Sequence, residues 1–195
     1  MDEIHEKKKE IRQEISATLS ALSKEEKSGI VELIEKRLFD FANFLESKIV
    51  LLYVESPNEV STFNIIRRSY MLQKIVVLPA YDYEKEEISL HKIDNPDKDV
   101  IPGPRGILGP NPDRCKRVPV DCIDIAIIPA IALDEKGGRI GKGDGWYDRL
   151  IPQLPITTRK VALGFDCQVT LQIPMEPHDK HVDIIITEKR IIYKI

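Results

Sequence analysis

Apolar residues recur with a helical period over the first part of the chain and then, from residue 49 onward, in short unbroken runs. Ile4, Ile11, Ile15, Leu19 and Leu22 fall on one stripe, which predicts an amphipathic helix over about 4–22. Ser23-Lys24-Glu25-Glu26 has the capping-box pattern, in which a serine and a glutamate three positions on satisfy each other's backbone N–H. A second helix is expected from there, with Ile30, Ile34, Leu38, Phe41 and Leu45 as its apolar positions. Together the two would form a hairpin over about 4–46 that covers a sheet. The runs 49–54, 75–79, 125–129, 161–165 and 182–187 have the length and β-branched content of buried strands. Helical patterns at about 60–72 and 145–154 lie between some of them, and that alternation predicts mostly parallel pairing. Residues 88–93 alternate with polar positions and read as an edge strand in a hairpin. Residues 94–119, rich in Pro, Asp and Gly, read as one long loop that shapes a site or moves.

A chain of 195 residues is long enough for one well-buried core, so a single α/β domain over 1–195 is expected. The formal net charge is −3, with acids and bases interspersed and no basic stripe beyond Lys7-Lys8-Lys9. That balance argues against nucleic-acid binding and leaves anion recognition to a local site. Cys115, Cys122 and Cys167 are odd in number and show no C-x-x-C spacing, so free thiols in a reducing compartment are expected. The N-terminus is charged, and no apolar run approaches the ~20 residues that span a bilayer. No membrane association is expected, and the cytoplasm is the expected location.

The densest candidate chemistry lies in Gly137-Gly138-Arg139-Ile140-Gly141-Lys142-Gly143-Asp144-Gly145-Trp146-Tyr147-Asp148-Arg149. Alternate glycines let a backbone approach an anion and aim N–H groups at it, while Lys142 and Arg139 supply positive charge. The apolar run 124–134 reads as a buried strand that delivers this loop to the carboxyl edge of a sheet, where open α/β folds bind ligands. A helix opening near Asp144 would add its dipole. The spacing fits neither a Walker loop nor a dinucleotide fingerprint.

Asp148, projecting from the first turn after the loop, is a candidate magnesium ligand, since magnesium with a nucleotide uses one or two carboxylates. A carboxylate simply favoured by a helix N-terminus is the competing reading. In His178-Asp179-Lys180-His181-Val182-Asp183, two histidines three apart without a third ligand are weak evidence for zinc, and Asp179 stays as the second acidic candidate. Glu59 sits in a turn, Ser56-Pro57-Asn58-Glu59-Val60-Ser61, where capping alone accounts for most residues. Tyr81 leaves a strand where it either stacks on a planar ligand or forms the rim of the core.

These features resemble the 5-formyltetrahydrofolate cyclo-ligase (methenyltetrahydrofolate synthetase) family nearly end to end. The likeness is carried by the basic first helix with Lys8 and Arg12, by Asn58-Glu59-Val60-Ser61-Thr62, and by Leu78-Pro79 before Tyr81. It continues through residues 139–149, then Leu163-Gly164-Phe165-Asp166-Cys167-Gln168, and on through 173–179 and 182–188. The resemblance implies a three-layer α/β domain like that of sugar-phosphate isomerases and CoA transferases, acting as a monomer. It implies closure of 5-formyltetrahydrofolate, with or without a polyglutamate tail, to 5,10-methenyltetrahydrofolate, using ATP and Mg2+ and passing through a phosphorylated formyl group. By position, Lys8, Arg12, Arg139 and Gly141 through Tyr147, Asp144 included, would bind ATP. Asp148 and Asp179 would hold magnesium. Glu59, Tyr81 and Trp146 would face the folate, and Glu59, Lys142 and Arg139 would carry catalysis. Against the family pattern, Trp146-Tyr147 replaces Tyr-Tyr or Phe-Tyr, Asp144 replaces Gly or Lys, Gly109 stands where many members carry Glu, and Arg105 replaces an aromatic residue near the pterin. The alternatives are a related ATP-dependent kinase or ligase for another small acid or amide, and a non-catalytic folate-binding protein.

Overall fold

The computed structural model describes residues 2–103 and 106–194; Arg105 lies outside them. Helices α1 (Asp2–Ser20) and α2 (Lys24–Asp40) lie where the apolar stripe and the capping box place them. The box is closed in both directions, Ser23 Oγ accepting from Glu26 N–H at 3.1 Å and the Glu26 carboxylate accepting from Ser23 N–H at 2.7 Å. The second helix does not run on to Leu45. Phe41 takes an extended ψ of 120°, and a separate short helix, α3 (Ala42–Glu46), follows. The break turns Phe41 and Phe44 into the core and leaves Leu45 56% exposed, so an expected inward position points to water.

The rest of the chain alternates strand and helix: β1 (Ile49–Leu51), α4 (Phe63–Met71), β2 (Ile75–Asp82), β3 (Glu87–Ile93), α5 (Pro96–Asp99), β4 (Val100–Pro102), β5 (Leu108–Pro110) and β6 (Arg117–Val118). There follow β7 (Ile125–Ile128), β8 (Ala132–Asp134), β9 (Arg139–Ile140), α6 (Trp146–Leu150), β10 (Arg159–Leu163), β11 (Val169–Thr170), β12 (Ile184–Ile186) and β13 (Ile191–Tyr193). The main sheet has the order β13-β12-β10-β7-β1-β2-β3-β6. Strands β12, β10, β7, β1 and β2 are mutually parallel, while β13, β3 and β6 pair antiparallel at the flanks. All four positions of β7 are buried, as in a parallel strand covered on both faces. Strand β3 makes the expected hairpin with β2, but the two-residue β6 lies outside it. The buried apolar residues form one continuous core. Helix α2 packs on β12, whereas α1 reaches across to β8 and the 3-10 turn Asp166–Gln168. Among the described residues no helix is long and apolar enough to cross a membrane.

The described residues of 94–119 do not form a structureless loop. Asn95 caps α5, β4 and β5 form a hairpin, and the buried Asp99 carboxylate gathers the N–H groups of Asp94 and Asn95 at 2.9 and 2.7 Å and Arg114 Nε at 2.9 Å. Local side-chain-to-backbone bonds replace apolar periodicity here, so the hydrophobic pattern carries no trace of the structure.

A second buried carboxylate builds the hairpin that carries the glycine loop. Asp134, 3% exposed, accepts from Lys136 N–H, Gly138 N–H and Ile173 N–H at 2.9, 2.8 and 2.7 Å. A Cβ at Gly138 would stand 2.7 Å from Asp134 Oδ2, and one at Gly137, whose φ is +83°, would stand 2.3 Å from Val182 O. These glycines let β8, β9 and the segment before β12 close around one carboxylate. Asp134→Ala strands buried amides at about 1–3 kcal/mol apiece, so we expect unfolding free energy in urea to fall by about 3 kcal/mol. A loss below about 1 kcal/mol would contradict the account.

Candidate active site

The chain leaves β1 for β2 on one side and leaves β7 for β10 on the other, so the strand order reverses between β1 and β7. In an open α/β sheet the loops after two such strands diverge and leave a crevice at their carboxyl ends. Tyr53 and Val54 after β1, Pro129 after β7, and Tyr81 and Tyr83 near the end of β2 line a cleft of about 480 Å3 at this position. Every residue singled out from the sequence as a site candidate lines the same cleft: Lys8, Arg12, Glu59, Tyr81, Arg139, Gly141 through Tyr147, Asp148 and Asp179. Gly109 is not among the lining residues; it lies on β5, where a Cβ would sit 3.7 Å from Pro79 O.

One side of the cleft is cationic. Helix α1 brings Arg12 to the glycine loop, where its Nε donates to Gly141 O at 2.8 Å. Gly143 and Gly145 have φ of +109° and +67°, left-handed conformations that glycine adopts without steric cost. Arg139 is buried, and its guanidinium donates to Asp148 Oδ1 at 2.8 Å. Burial pulls Arg139 below its ordinary pKa while Asp148 works in the other direction, and an arginine stays charged under both. Lys142 is exposed and makes no ion pair among the described residues, so its charge is available to a ligand. The helix expected near Asp144 is only the five residues of α6, so most of the field comes from side chains and loop amides rather than from a helix dipole.

The acidic candidates occupy two separate positions on the cleft wall. Asp148 Oδ1 accepts from Arg139 and from Lys180 N–H at 2.9 Å. Asp179 Oδ2 accepts from Lys8 Nζ at 2.5 Å and from Glu176 N–H at 2.7 Å, and Lys8 also donates to Glu176 Oε2 at 2.8 Å. Burial acts to raise the Asp179 carboxyl, but the bonds from Lys8 and the Glu176 amide outweigh it and hold it below the ordinary value. His178 Nε2 lies 3.6 Å from Asp179 Oδ1 and 3.8 Å from Glu176 Oε2, so one ligand atom from each of Glu176, His178 and Asp179 falls within 4.8 Å of the others. Sequence reasoning weighed His178 with His181 and passed over Glu176. The spacing Glu-x-His-Asp was the available signal. These residues fit magnesium with a nucleotide: the carboxylates are hard oxygen donors, and they stand beside cations that neutralise phosphate.

The other side of the cleft is aromatic and carries one unusual carboxyl. The Trp146 ring lies 5.3 Å from Tyr81 and 5.2 Å from Tyr83, with the Arg149 guanidinium 4.7 Å from its centroid. The Tyr81 and Tyr147 hydroxyls are 3.3 Å apart. Glu59 occupies the turn after β1, its Oε2 accepting from Ser56 N–H at 2.8 Å. Burial pushes the Glu59 carboxyl up to about 7, against the pull of the Ser56 amide, Lys142 and Arg139, with Glu55 adding to the rise.

Fold and cleft define an α/β protein with a cationic crevice beside an aromatic cluster. Residues 4–188 match the 5-formyltetrahydrofolate cyclo-ligase family. The mouse protein named 5-formyltetrahydrofolate cyclo-ligase is 24% identical over 193 residues, 95% of each chain. The protein of that name from Escherichia coli (strain K12) is 24% identical over 172 residues, 88% of this chain and 94% of its own. The NMR structure of Aquifex aeolicus 5,10-methenyltetrahydrofolate synthetase superimposes with a TM-score of 0.83 at 30% identity, covering 96% of this chain and 92% of that one. The chain belongs to the 5-formyltetrahydrofolate cyclo-ligase family, a family of ligases.

The raised Glu59 carboxyl has a thermodynamic signature. Its folded-state pKa of about 7 exceeds the ordinary value of 4.5, so the folded chain holds this proton more tightly between those values. The contribution to stability is fully present below about 4.5 and is lost as pH rises through about 7. Glu59→Gln removes that dependence, so the Tm of the variant relative to the native chain should climb across this window. A difference that stays flat would contradict the raised carboxyl.

Proposed function

We propose that the protein closes 5-formyltetrahydrofolate to 5,10-methenyltetrahydrofolate with consumption of ATP and release of ADP and phosphate. The observation that carries this reading is the convergence in one crevice of a cationic glycine loop and a carboxyl poised near neutrality beside a cluster of tilted and edge-on aromatic rings. A formamide oxygen is a weak nucleophile and a poor leaving group. Transfer of the terminal phosphoryl group to that oxygen, with ADP leaving, gives an imidate phosphate; N10 then attacks the formyl carbon and gives up its proton to solvent, the C–O bond breaks, and the phosphate departs with its electron pair. Both steps demand positioning and charge neutralisation more than covalent help from the protein.

The parts of the cleft suit these tasks. Lys8, Arg12, Arg139 and Lys142 would meet the phosphates, with the amides of Gly141 through Tyr147 as the backbone cradle. Asp148 and Asp179 would hold magnesium, which supplies charge neutralisation on the phosphates. Asp144 is exposed on the loop, where a negative charge is tolerated if magnesium or Lys142 offsets it. Tyr81 and Trp146 would stack on the pterin, and Glu59 would hold it so that the formyl oxygen faces the terminal phosphate. The working unit in this reading is a monomer.

The test is the absorbance of the methenyl product on mixing purified protein, 5-formyltetrahydrofolate, ATP and Mg2+. Product is expected only when all four are present. Glu59→Gln should lower kcat/KM by about 100-fold or more while nucleotide affinity changes by less than about twofold. A well-folded protein that forms no product removes the reading. Binding of the folate without turnover would favour a carrier, and turnover of a different amide would favour a related ligase.

A further inference from the structure

The segment Gly164-Phe165-Asp166-Cys167-Gln168 lines no part of the cleft, yet its last side chain is fully buried and every hydrogen-bonding group of its amide is used. Gln168 Oε1 accepts from Phe165 N–H at 2.8 Å, while Nε2 donates to Asn58 O at 2.7 Å and to Ile131 O at 2.8 Å. A Cβ at Gly164 would lie 2.8 Å from Leu133 Cδ1, so glycine there lets this turn seat closely enough for the amide to reach both carbonyls.

The two carbonyls belong to the segments that leave β1 and β7, the neighbouring strands at whose ends the crevice opens. Asn58 precedes Glu59 and holds a left-handed φ of +70°, uphill for a residue with a side chain. Glu55 closes the base of that turn through Ser61 and Thr62, and the bond from Gln168 holds its apex. Ile131 follows β7 and donates to Ile140 O at 2.7 Å, next to Arg139 and the head of the glycine loop. One buried amide therefore links the turn that presents Glu59 to the strand pair that presents the cations.

We infer that Gln168 is a positioning residue: its amide sets the spacing between the Glu59 turn and the phosphate loop. This rests on the function proposed above, in which a bound folate must meet a phosphoryl group across the crevice, and misplacement by about 1 Å costs about 100-fold in rate. Glu59 feels Lys142, Arg139 and Glu55, and is felt in turn by Tyr53, Tyr81 and Tyr147. Gln168 is neutral, so replacing it alters none of those charges. Any change in Glu59 then reports geometry.

The experiment compares the native chain with Gln168→Met, which keeps the volume and removes the three bonds. In ligand-free protein, carbon-13 NMR titration of the Glu59 carboxyl, assigned with Glu59→Gln, should show its midpoint falling from about 7 toward the ordinary 4.5, because a loosened turn lets water reach the carboxyl. The folate KM should rise by about 10-fold while nucleotide affinity stays within about twofold. A midpoint that does not move overturns the inference, as does a loss of nucleotide affinity parallel to that of folate. Gln168→Asn keeps an amide but shortens its reach by one methylene, so that it cannot span both carbonyls, and guards against a Gln168→Met chain that does not fold; an unshifted Glu59 in that variant is equally fatal. Should the native chain fail to turn over the folate, the functional proposal falls, and the ligand-free titration still decides whether Gln168 holds Glu59 in place.

Discussion

The site depends on one constraint of the sheet: β1 and β7 are parallel neighbours whose outgoing connections run in opposite directions. Parallel strands need long crossovers, and where two crossovers diverge the carboxyl ends of the strands are left uncovered. Into that gap the chain sends the Glu59 turn from one side and the β8–β9 hairpin with its glycine loop from the other. Helix α1, which packs away from the main sheet, closes the cleft by laying Lys8 and Arg12 across it. No single segment contains the site, and the geometry of the opening is what makes several distant stretches of chain into one surface.

The electrostatics follow from that closeness. A buried guanidinium or ammonium is costly to desolvate unless an anion lies beside it, and here Arg139 takes Asp148 while Lys8 takes Glu176 and Asp179. These pairs hold the cations in position while no phosphate is near, and they present carboxylate oxygens that a hard metal ion can share. Lys142 is the contrasting case: exposed and free of ion pairs among the described residues, it keeps its charge for a ligand. Glu59 has been treated in the opposite way to Asp179. Both carboxyls are partly buried, but Asp179 has an ammonium in hydrogen-bond contact and Glu59 has only an amide bond and distant cations, so one is held low and the other pushed up.

The glycine loop, the helix boundaries at the capping box and the strand cores were legible because each is a local signal. Left-handed glycine, serine-glutamate reciprocity and unbroken apolar runs act within a few residues. The turn at Phe41 was not legible, because the apolar positions continue the helical period while the backbone does not. Residues 94–119 were misread for the reverse reason, their order coming from Asp99 and Arg114 rather than from any apolar repeat. Glu176 carries only the faint signal of its Glu-x-His-Asp spacing, and it acquires meaning when Lys8, far away in the chain, lands on it.

The sequence by itself determined the class of fold, the glycine-rich and cationic character of residues 137–149 and the set of candidate residues, because those depend on periodicity, backbone freedom and charge within short windows. Only the tertiary structure decided how those residues are joined: that Lys8 neutralises Asp179, that Asp148 belongs to Arg139, that Gln168 bridges the two rims, and that Glu59 is driven toward neutrality. Those are long-range facts. Burial and Coulombic interactions depend on distance through space, and a chain discloses that distance only when its sheet has set which ends meet.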